Sequence, residues 1–114
     1  MPCIQIKTNV EIKAPQEQEI KSQLGHAISL IPGKSEQWLM ITLEPGRTIY
    51  FQGEKEFPAA FVDVSVYGSS TREAYRALTR AITDILQAEL GIQASRIYVK
   101  YTECEHWGWN GENF

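Results

Sequence analysis

The first residue that could do chemistry is Pro2, which directly follows the initiator methionine. Proline is small enough to permit methionine removal, which would leave a secondary amine at the start of the chain. An ordinary α-amino group has a pKa of about 7.7–8.0, and burial or nearby positive charge lowers it. A neutral amine can then accept a proton as a general base. Pro2 is therefore a candidate catalytic base, although Met-Pro also begins many chains without chemical meaning.

Three polar side chains could act on an anionic substrate. Lys34 follows Pro32-Gly33, a predicted helix end, where a lysine either binds a carboxylate or remains a solvated charge favoured by the helix dipole. Tyr98 and Lys100 lie two residues apart in a predicted strand, and hence on one face of it. These two side chains could hydrogen-bond a developing oxyanion, or they could simply pack and face solvent.

Three large aromatic side chains, Trp107, Trp109 and Phe114, lie close together at the end of the sequence. Interface or core packing is a more common role for such a group than a ligand cage. Cys3 and Cys104 have neither CxxC nor metal-ligand spacing, which favours two free thiols and leaves a bridge between them as the alternative. The two histidines are isolated, so no metal site is expected.

The composition indicates one soluble globular domain spanning residues 1–114. The chain is 43% hydrophobic and 22% charged, with a net charge of −3. These values argue against disorder and against a basic nucleic-acid platform. The apolar runs are too short to span a bilayer, and polar residues interrupt any signal-peptide core. The expected location is the cytoplasm, with secretion by an unconventional route as the alternative.

Hydrophobic periodicity predicts the elements that would position these side chains. Strands with alternating or apolar patterns are expected at residues 2–8, 38–43, 59–67 and 96–102, with a short extra strand at 48–51. Helices are expected at 16–31, ended by Pro-Gly, and at 71–90, begun by a Ser70-x-x-Glu73 capping box and ended by Gly91. An Asn110-Gly111 turn signal lies in the aromatic tail.

This order gives an α+β fold of two βαβ units, with halves at about 1–57 and 58–114. Right-handed crossovers would place both helices on one face of a mixed four-stranded sheet. The run at 38–43 is apolar on both faces, which predicts a buried strand. Trp38, Phe61, Tyr98 and Tyr101 cannot all hide under two helices, so another copy of the chain is expected to cover the second face.

Several short motifs share their order and spacing with a known family. The motifs are Met1-Pro2, Thr8-Asn9-Val10, Gly33-Lys34, Phe51-x-Gly53, the valine-rich strand ending at Gly68, Arg96-Ile97-Tyr98-Val99, and Trp107-Gly108-Trp109-Asn110-Gly111 close to Phe114. On these motifs, almost from end to end, the sequence resembles the macrophage migration inhibitory factor branch of the tautomerase superfamily.

The resemblance implies a homotrimer whose three sheets line a central barrel, with the helices outside and an active site at each subunit interface. The implied reaction is keto–enol tautomerisation of phenylpyruvate-like aryl 2-oxo acids, which needs no cofactor and no metal. The implied site has Pro2 as base, Lys34 as the carboxylate-binding cation, Val66 and the backbone around Tyr67 beside it, Tyr98 and Lys100 from the neighbouring subunit, and Trp107, Trp109 and Phe114 as an apolar rim.

Three departures from the family pattern bear on function. Ala59-Ala60-Phe61-Val62 stands where the vertebrate cytokine has CxxC, so thiol-disulfide oxidoreductase activity is not expected. Tyr67 replaces a common isoleucine beside the pocket and could narrow it. Lys100 replaces an asparagine and, if it points into the pocket, should lower the pKa of Pro2 and favour anionic substrates.

Three other functions remain open at this point. The chain could be a cytokine-like signalling protein that binds a receptor, because a fold does not decide function. It could be a ferredoxin-like ligand-binding module in which Met-Pro is incidental. It could also be a trimeric ligand-binding scaffold with weak or no catalysis, its pocket blocked by Tyr67.

Overall fold

The computed structural model describes residues 1–114 and contains two long helices and six strands. In chain order these are β1 (Pro2–Thr8), α1 (Ala14–Ala27), β2 (Met40–Glu44), β3 (Ala60–Tyr67), α2 (Arg72–Leu90), β4 (Ile97–Cys104), β5 (Gly108–Trp109) and β6 (Glu112–Asn113). Three short 3-10 turns, at Ile28–Leu30, Glu36–Trp38 and Ala94–Arg96, lie in the connections. Neither long helix has the length and apolar character needed to cross a membrane.

The main sheet has the strand order β2-β1-β3-β4. β1 runs parallel to β2 and β3 runs parallel to β4, whereas β1 and β3 are antiparallel. Each parallel pair is joined through a helix, as a parallel connection requires. The predicted α+β fold, with a mixed four-stranded sheet and two helices on one face, is confirmed.

The core lies between this sheet and the two helices. Alternate residues of β1 and β3 point toward the helices, and the helices contribute one apolar stripe each. The fully buried large side chains are Ile4, Ile6, Ile20, Leu24, Ile28, Ile31, Val62, Val64, Leu78, Ile82, Leu86 and Ile92. The two helices predicted from hydrophobic periodicity therefore each turn an apolar stripe toward the sheet.

The other side of the sheet, here called the open face, carries no helix. Its side chains form rows that cross the four strands, read from the strand register. The rows are Met40–Cys3–Ser65–Thr102, Thr42–Gln5–Asp63–Lys100 and Glu44–Lys7–Phe61–Tyr98. Tyr98 is 62% exposed, and the middle row holds two buried side-chain oxygens without a hydrogen-bond partner, Thr42 Oγ1 and Asp63 Oδ1. A single chain thus leaves this face incompletely covered.

The predicted buried strand at residues 38–43 is wrong in two respects. Trp38 lies in the 3-10 turn Glu36–Trp38, and the strand begins only at Met40. β2 is also an edge strand with one neighbour, and the Met40 side chain is 64% exposed. An apolar run does not distinguish a strand buried under helices from an edge strand that lacks a cover within its own chain.

Two smaller predictions also need correction, and one of the four large side chains named above is covered by a helix. Residues 48–51 form no strand, because only a single antiparallel bridge joins Phe51 to Glu54. The first helix ends at Ala27 and tightens into a 3-10 turn instead of continuing to residue 31. Tyr101 lies on the helix side of the sheet, where its hydroxyl donates to the Tyr75 carbonyl oxygen at 3.0 Å. Its place in β4, three residues after Tyr98, puts it on the opposite face from Tyr98.

Two chain reversals occur where the local sequence predicts them. Gly91 ends α2 with a φ of 68°, the left-handed conformation that glycine adopts without strain. Asn110 and Gly111 have φ values of 55° and 83° and connect β5 to β6, as expected for a two-residue Asn-Gly hairpin. The aromatic tail is therefore a small hairpin that folds back on the domain.

The start of α2 differs by one residue from the predicted capping box. Thr71 is the N-cap, and its hydroxyl oxygen accepts a hydrogen bond from the Ala74 backbone N–H at 3.1 Å. The Ser70 backbone N–H instead donates to a Glu103 carboxylate oxygen at 3.3 Å. Thr71, and not Ser70, thus satisfies the otherwise unpaired end of the helix.

This difference gives a stability prediction. Replacing Thr71 with Ala should lower the free energy of unfolding by about 1 kcal/mol, because it removes the N-cap acceptor. The matched control, Ser70→Ala, should leave it nearly unchanged, because no cap hydrogen bond involves that hydroxyl. Urea unfolding followed by circular dichroism measures both values. Equal losses in the two variants would contradict the assignment of the cap to Thr71.

Candidate active site at the start of strand β1

Pro2 is the first residue of β1 and is buried. In the register of the sheet it lies opposite Val66 of β3. An open cleft of about 740 Å³ begins beside it. The cleft is lined by Met1, Pro2, Cys3, Gln5, Gln37, Trp38, Leu39, Met40, Ser65, Cys104, Trp107, Gly108 and Trp109. The candidate base therefore lies at the wall of a largely apolar cleft.

The peptide groups of Tyr67 connect this end of β1 to Lys34. The Tyr67 backbone N–H donates to the Met1 carbonyl oxygen at 3.0 Å. The Tyr67 carbonyl oxygen accepts a hydrogen bond from Lys34 Nζ, also at 3.0 Å. The last residue of β3 thus brings a backbone donor and an ammonium group to the start of the chain.

The charge on the terminal amino group reflects this environment. Burial, and after it the positive charge of Lys34, lowers the pKa of the Met1 amino group below its ordinary value of 8.0. Both effects disfavour the protonated amine, since burial removes hydration and a like charge repels it. The start of β1 is therefore a place where an amine loses its proton more readily than in water.

Aromatic side chains form the outer wall of the cleft. The rings of Trp38 and Trp109 meet edge to face with centroids 5.0 Å apart. The predicted rim residue Phe114 does not line the cleft. It packs on Tyr67 with centroids 5.6 Å apart, and its backbone N–H donates to the Trp107 carbonyl oxygen at 3.0 Å. The C-terminal hairpin and the 3-10 turn of Trp38 thus meet at one side of the cleft.

Trp38, Met40 and Met1 line the cleft but are not among the predicted site residues. Trp38 was expected at the start of a buried strand, and its contact with Trp109 depends on a long-range approach of the tail. Its position four residues after Lys34, on the same connection between α1 and β2, could have indicated that Trp38 lies near the site. The predicted residues Pro2, Lys34 and Tyr67 do lie together, as the sequence resemblance implies.

Tyr98 and Lys100 are not brought to the cleft of their own chain. Tyr98 shares a row with Lys7, which lies five residues and about 17 Å along β1 from Pro2. The ring of Tyr98 meets Phe51 edge to face at 5.1 Å. Lys100 Nζ pairs with an Asp63 carboxylate oxygen at 3.2 Å. Neither side chain lines the cleft of its own chain.

The two cysteines are free thiols, as favoured from the sequence. Two strand spacings of about 4.8 Å and two residues of about 3.3 Å separate their Cα atoms by about 12 Å, whereas a disulfide needs less than about 7 Å. Burial, and then the negative charge of Asp63, raises the pKa of the Cys3 thiol. No group of three or more His, Cys, Asp or Glu side chains is arranged to hold a metal ion.

Comparisons with known proteins bear on this site. The family model described as "Macrophage migration inhibitory factor (MIF)" matches residues 1–114. The macrophage migration inhibitory factor of Xenopus laevis is 28% identical over 116 residues, covering 100% of this chain and 99% of its own. The structure is similar to MIF2 of Leishmania major, with a TM-score of 0.92, 32% identity, and coverage of 100% of this chain and 97% of that one.

A bacterial structure gives a similar result. The macrophage migration inhibitory factor homologue of Prochlorococcus marinus has a TM-score of 0.80 and 29% identity to this chain, covering 98% of each. The match therefore includes every element that carries the candidate site, from β1 to the terminal hairpin.

The geometry around Lys34 gives a prediction that needs no enzyme assay. Replacing Lys34 with Met should raise the pKa of the terminal amino group, because a repelling positive charge is removed, whereas Lys34→Arg should keep it low. The pH dependence of N-terminal acylation, followed by mass spectrometry, reports this pKa because only the neutral amine reacts. The half-point of the methionine variant should move to higher pH. An unchanged half-point would mean that burial alone lowers the pKa.

Proposed function

The chain belongs to the macrophage migration inhibitory factor family, and on that premise we propose that it is a keto–enol tautomerase. Its proposed substrates are phenylpyruvate-like aryl 2-oxo acids, and its proposed general base is Pro2 after removal of Met1. The observation that carries this proposal is the hydrogen bond between the Tyr67 N–H and the Met1 carbonyl oxygen. That bond places the Tyr67 peptide, and through it the Lys34 ammonium, beside the first peptide group of the chain.

Removal of Met1 would change this region in two ways. It would turn the Pro2 nitrogen from an amide into a secondary amine, which can accept a proton. It would also release the Tyr67 N–H, whose present acceptor is the Met1 carbonyl. A backbone donor and the Lys34 ammonium would then lie beside the new amine and could bind a carboxylate in place of Met1.

In the proposed reaction Pro2 carries one proton from the α carbon of the substrate to its ketone oxygen. With the substrate carboxylate bound by Lys34 and the Tyr67 N–H, neutral Pro2 takes the proton α to the ketone. The C–H electrons move into the new carbon–carbon double bond, and the negative charge develops on the ketone oxygen. Hydrogen-bond donors stabilise this enolate, and the prolinium returns the proton to that oxygen to give the enol.

The aromatic wall supports an aryl substrate. Trp38 and Trp109 meet edge to face at one side of the cleft, and Leu39 and Met40 add further apolar surface. A flat aromatic ring buries its area well against such side chains and gains from offset or edge contacts with them. The carboxylate end and the aryl end of the substrate would therefore meet surfaces of matching chemistry.

We further propose that the functional unit is a homotrimer with a site at each subunit interface. The open face leaves Tyr98 exposed and leaves Thr42 Oγ1 and Asp63 Oδ1 buried without partners, so another surface is expected against it. Tyr98 and Lys100 do not line the cleft of their own chain, which favours their contribution to a neighbour's site. Val66 is buried and pairs with Pro2 across β1 and β3, so it would hold the proposed base in position from within the same chain.

One observation favours a second candidate function. The Tyr67 ring packs on Phe114 close to the cleft, in the position where the family commonly has a smaller side chain. If this pair blocks the substrate, the protein would be a ligand-binding or receptor-binding scaffold with weak or no catalysis. Tyr67→Ile would then raise the turnover instead of leaving it unchanged.

The first test of the proposed base combines intact mass with the rate of phenylpyruvate tautomerisation. Loss of Met1 should accompany rapid turnover in the wild type, and Pro2→Gly should lower kcat/KM by roughly 10²–10⁴-fold, the usual contribution of a general base. Glycine also permits methionine removal, so the variant keeps a terminal amine with weaker basicity and no ring.

Two outcomes would separate the candidates. Turnover by a protein that retains Met1 would exclude Pro2 as the base, because an acylated proline nitrogen is not basic. Loss of Met1 without turnover would favour the scaffold, and binding of a 2-oxo acid could then be measured directly by calorimetry.

The contribution of a neighbouring subunit gives another prediction. Lys100→Met should raise KM for an aryl 2-oxo acid several-fold, because it removes a cation from the neighbour's pocket. Asp63→Asn should lower KM, because it frees the Lys100 ammonium from its ion pair. Steady-state kinetics on both variants measure these changes. An unchanged KM and pH profile in Lys100→Met would show that Lys100 faces solvent.

A further inference from the structure

A larger cleft, which shares no lining residue with the cleft beside Pro2, lies on the helix side of the sheet. It has a volume of about 1050 Å³ and runs between α2 and the start of β4. Ten residues line it, and three of these are arginines. The Glu103 carboxylate lies at its Ser70 end, where it accepts hydrogen bonds from the Ser70 backbone N–H at 3.3 Å and the Tyr75 hydroxyl at 2.7 Å. The cleft, here called the arginine groove, is therefore a local concentration of positive charge on a chain with a net charge of −3.

The three arginines form a regular row. Arg72, Arg76 and Arg80 are spaced four residues apart on α2, so they share one helix face at intervals of about 6 Å. All three side chains are exposed. None takes part in an ion pair, since the salt bridges of the chain use Lys21, Arg47 and Lys100 instead. Their guanidinium groups remain available for an anionic ligand.

The remaining walls of the groove are mainly apolar. Ala77, Ala94 and Ile97 contribute hydrocarbon surface between the row of arginines and β4. The Thr79 hydroxyl is already engaged by the Tyr101 hydroxyl at 2.8 Å. A ligand that fits both surfaces must therefore carry anionic groups along one side and apolar groups along the other.

We propose that the arginine groove binds an acidic peptide segment in an extended conformation, in which carboxylate side chains alternate with apolar ones. Side chains on one face of an extended peptide repeat every 6.6–6.8 Å, about the spacing of the arginine row. Arginine pairs with carboxylates through two parallel hydrogen bonds, which makes it well suited to such a contact.

Other polyanions fit the groove less well. A polyphosphate has no apolar groups for the Ala94 and Ile97 surface. Single-stranded nucleic acids need exposed aromatic rings on which bases stack, whereas the Tyr75 ring is packed on Tyr101 with centroids 4.6 Å apart. The groove also lies on the opposite side of the sheet from the open face, so binding there is compatible with association of copies through the open face.

The test uses a fluorescein-labelled hexapeptide of alternating glutamate and valine, titrated with the full chain and followed by fluorescence anisotropy. Arg76→Glu should weaken binding by about tenfold or more, because it removes a charge-assisted contact at the centre of the row. Lys55→Glu is the matched control, since it makes the same charge change at an exposed loop residue outside the groove. Circular dichroism verifies that both variants are folded.

Charge reversal of the peptide sharpens the test. A hexapeptide of alternating lysine and valine should bind the Arg76→Glu variant better than the wild type. Equal losses with Arg76→Glu and Lys55→Glu would show that only net charge matters and would overturn the proposal. Equally tight binding of inorganic tripolyphosphate, or no binding of the acidic peptide to the wild type, would also overturn it. Because none of these readouts uses turnover, they are independent of the proposed tautomerase activity.

Discussion

A β-strand can bury only every second side chain against a single layer of helices, and this constraint organises the whole molecule. Ile4, Ile6 and the valines of β3 satisfy the helix side and form the core. The intervening side chains must point the other way, onto the open face. The core therefore determines which residues are left for contacts outside the chain, and Tyr98 and Lys100 are among them because they alternate with core residues of β4.

At the candidate site, the peptide groups on the two sides of Tyr67 determine where the other residues lie. Its N–H contacts the first peptide of β1, and its carbonyl holds Lys34 from the connection after α1. Three segments distant in sequence are thus joined at one residue, where β3 ends and Gly68 turns the chain with a φ of 81°. Backbone groups make these contacts, so the arrangement does not depend on the identity of the Tyr67 side chain.

The sequence predicts the parts of this structure that depend on local periodicity and turn chemistry. The strands of the core, the two helical stripes, and the Asn110-Gly111 hairpin all come from patterns within a few residues. The resemblance to the family predicts that Pro2, Lys34 and Tyr67 lie in one site. The contact between Trp38 and Trp109 could not be predicted in this way, because it joins two irregular segments that meet only after the sheet has formed.

The errors have a common physical origin. β2 was expected to be buried and to include Trp38, yet the strand lies at an edge and Trp38 lies in the 3-10 turn before it. Hydrophobicity tells which side chains avoid water, but it does not tell whether a helix of the same chain or another molecule provides the cover. The hydroxyl of Tyr101 finds its partners on α2, which no pattern within β4 indicates.

The position of Met1 has a consequence for the order of events during synthesis. In the folded chain its carbonyl is held by the Tyr67 N–H, and its side chain is half-buried at the edge of the cleft. An aminopeptidase needs the first peptide bond extended and accessible, and pairing of β1 with β3 withdraws that bond from its reach. If Met1 is excised, as the proposed mechanism requires, excision and folding therefore compete in time. A nascent chain has the advantage, because Pro2 is made first and can be processed before Ala60–Tyr67, its later partner strand β3, is complete.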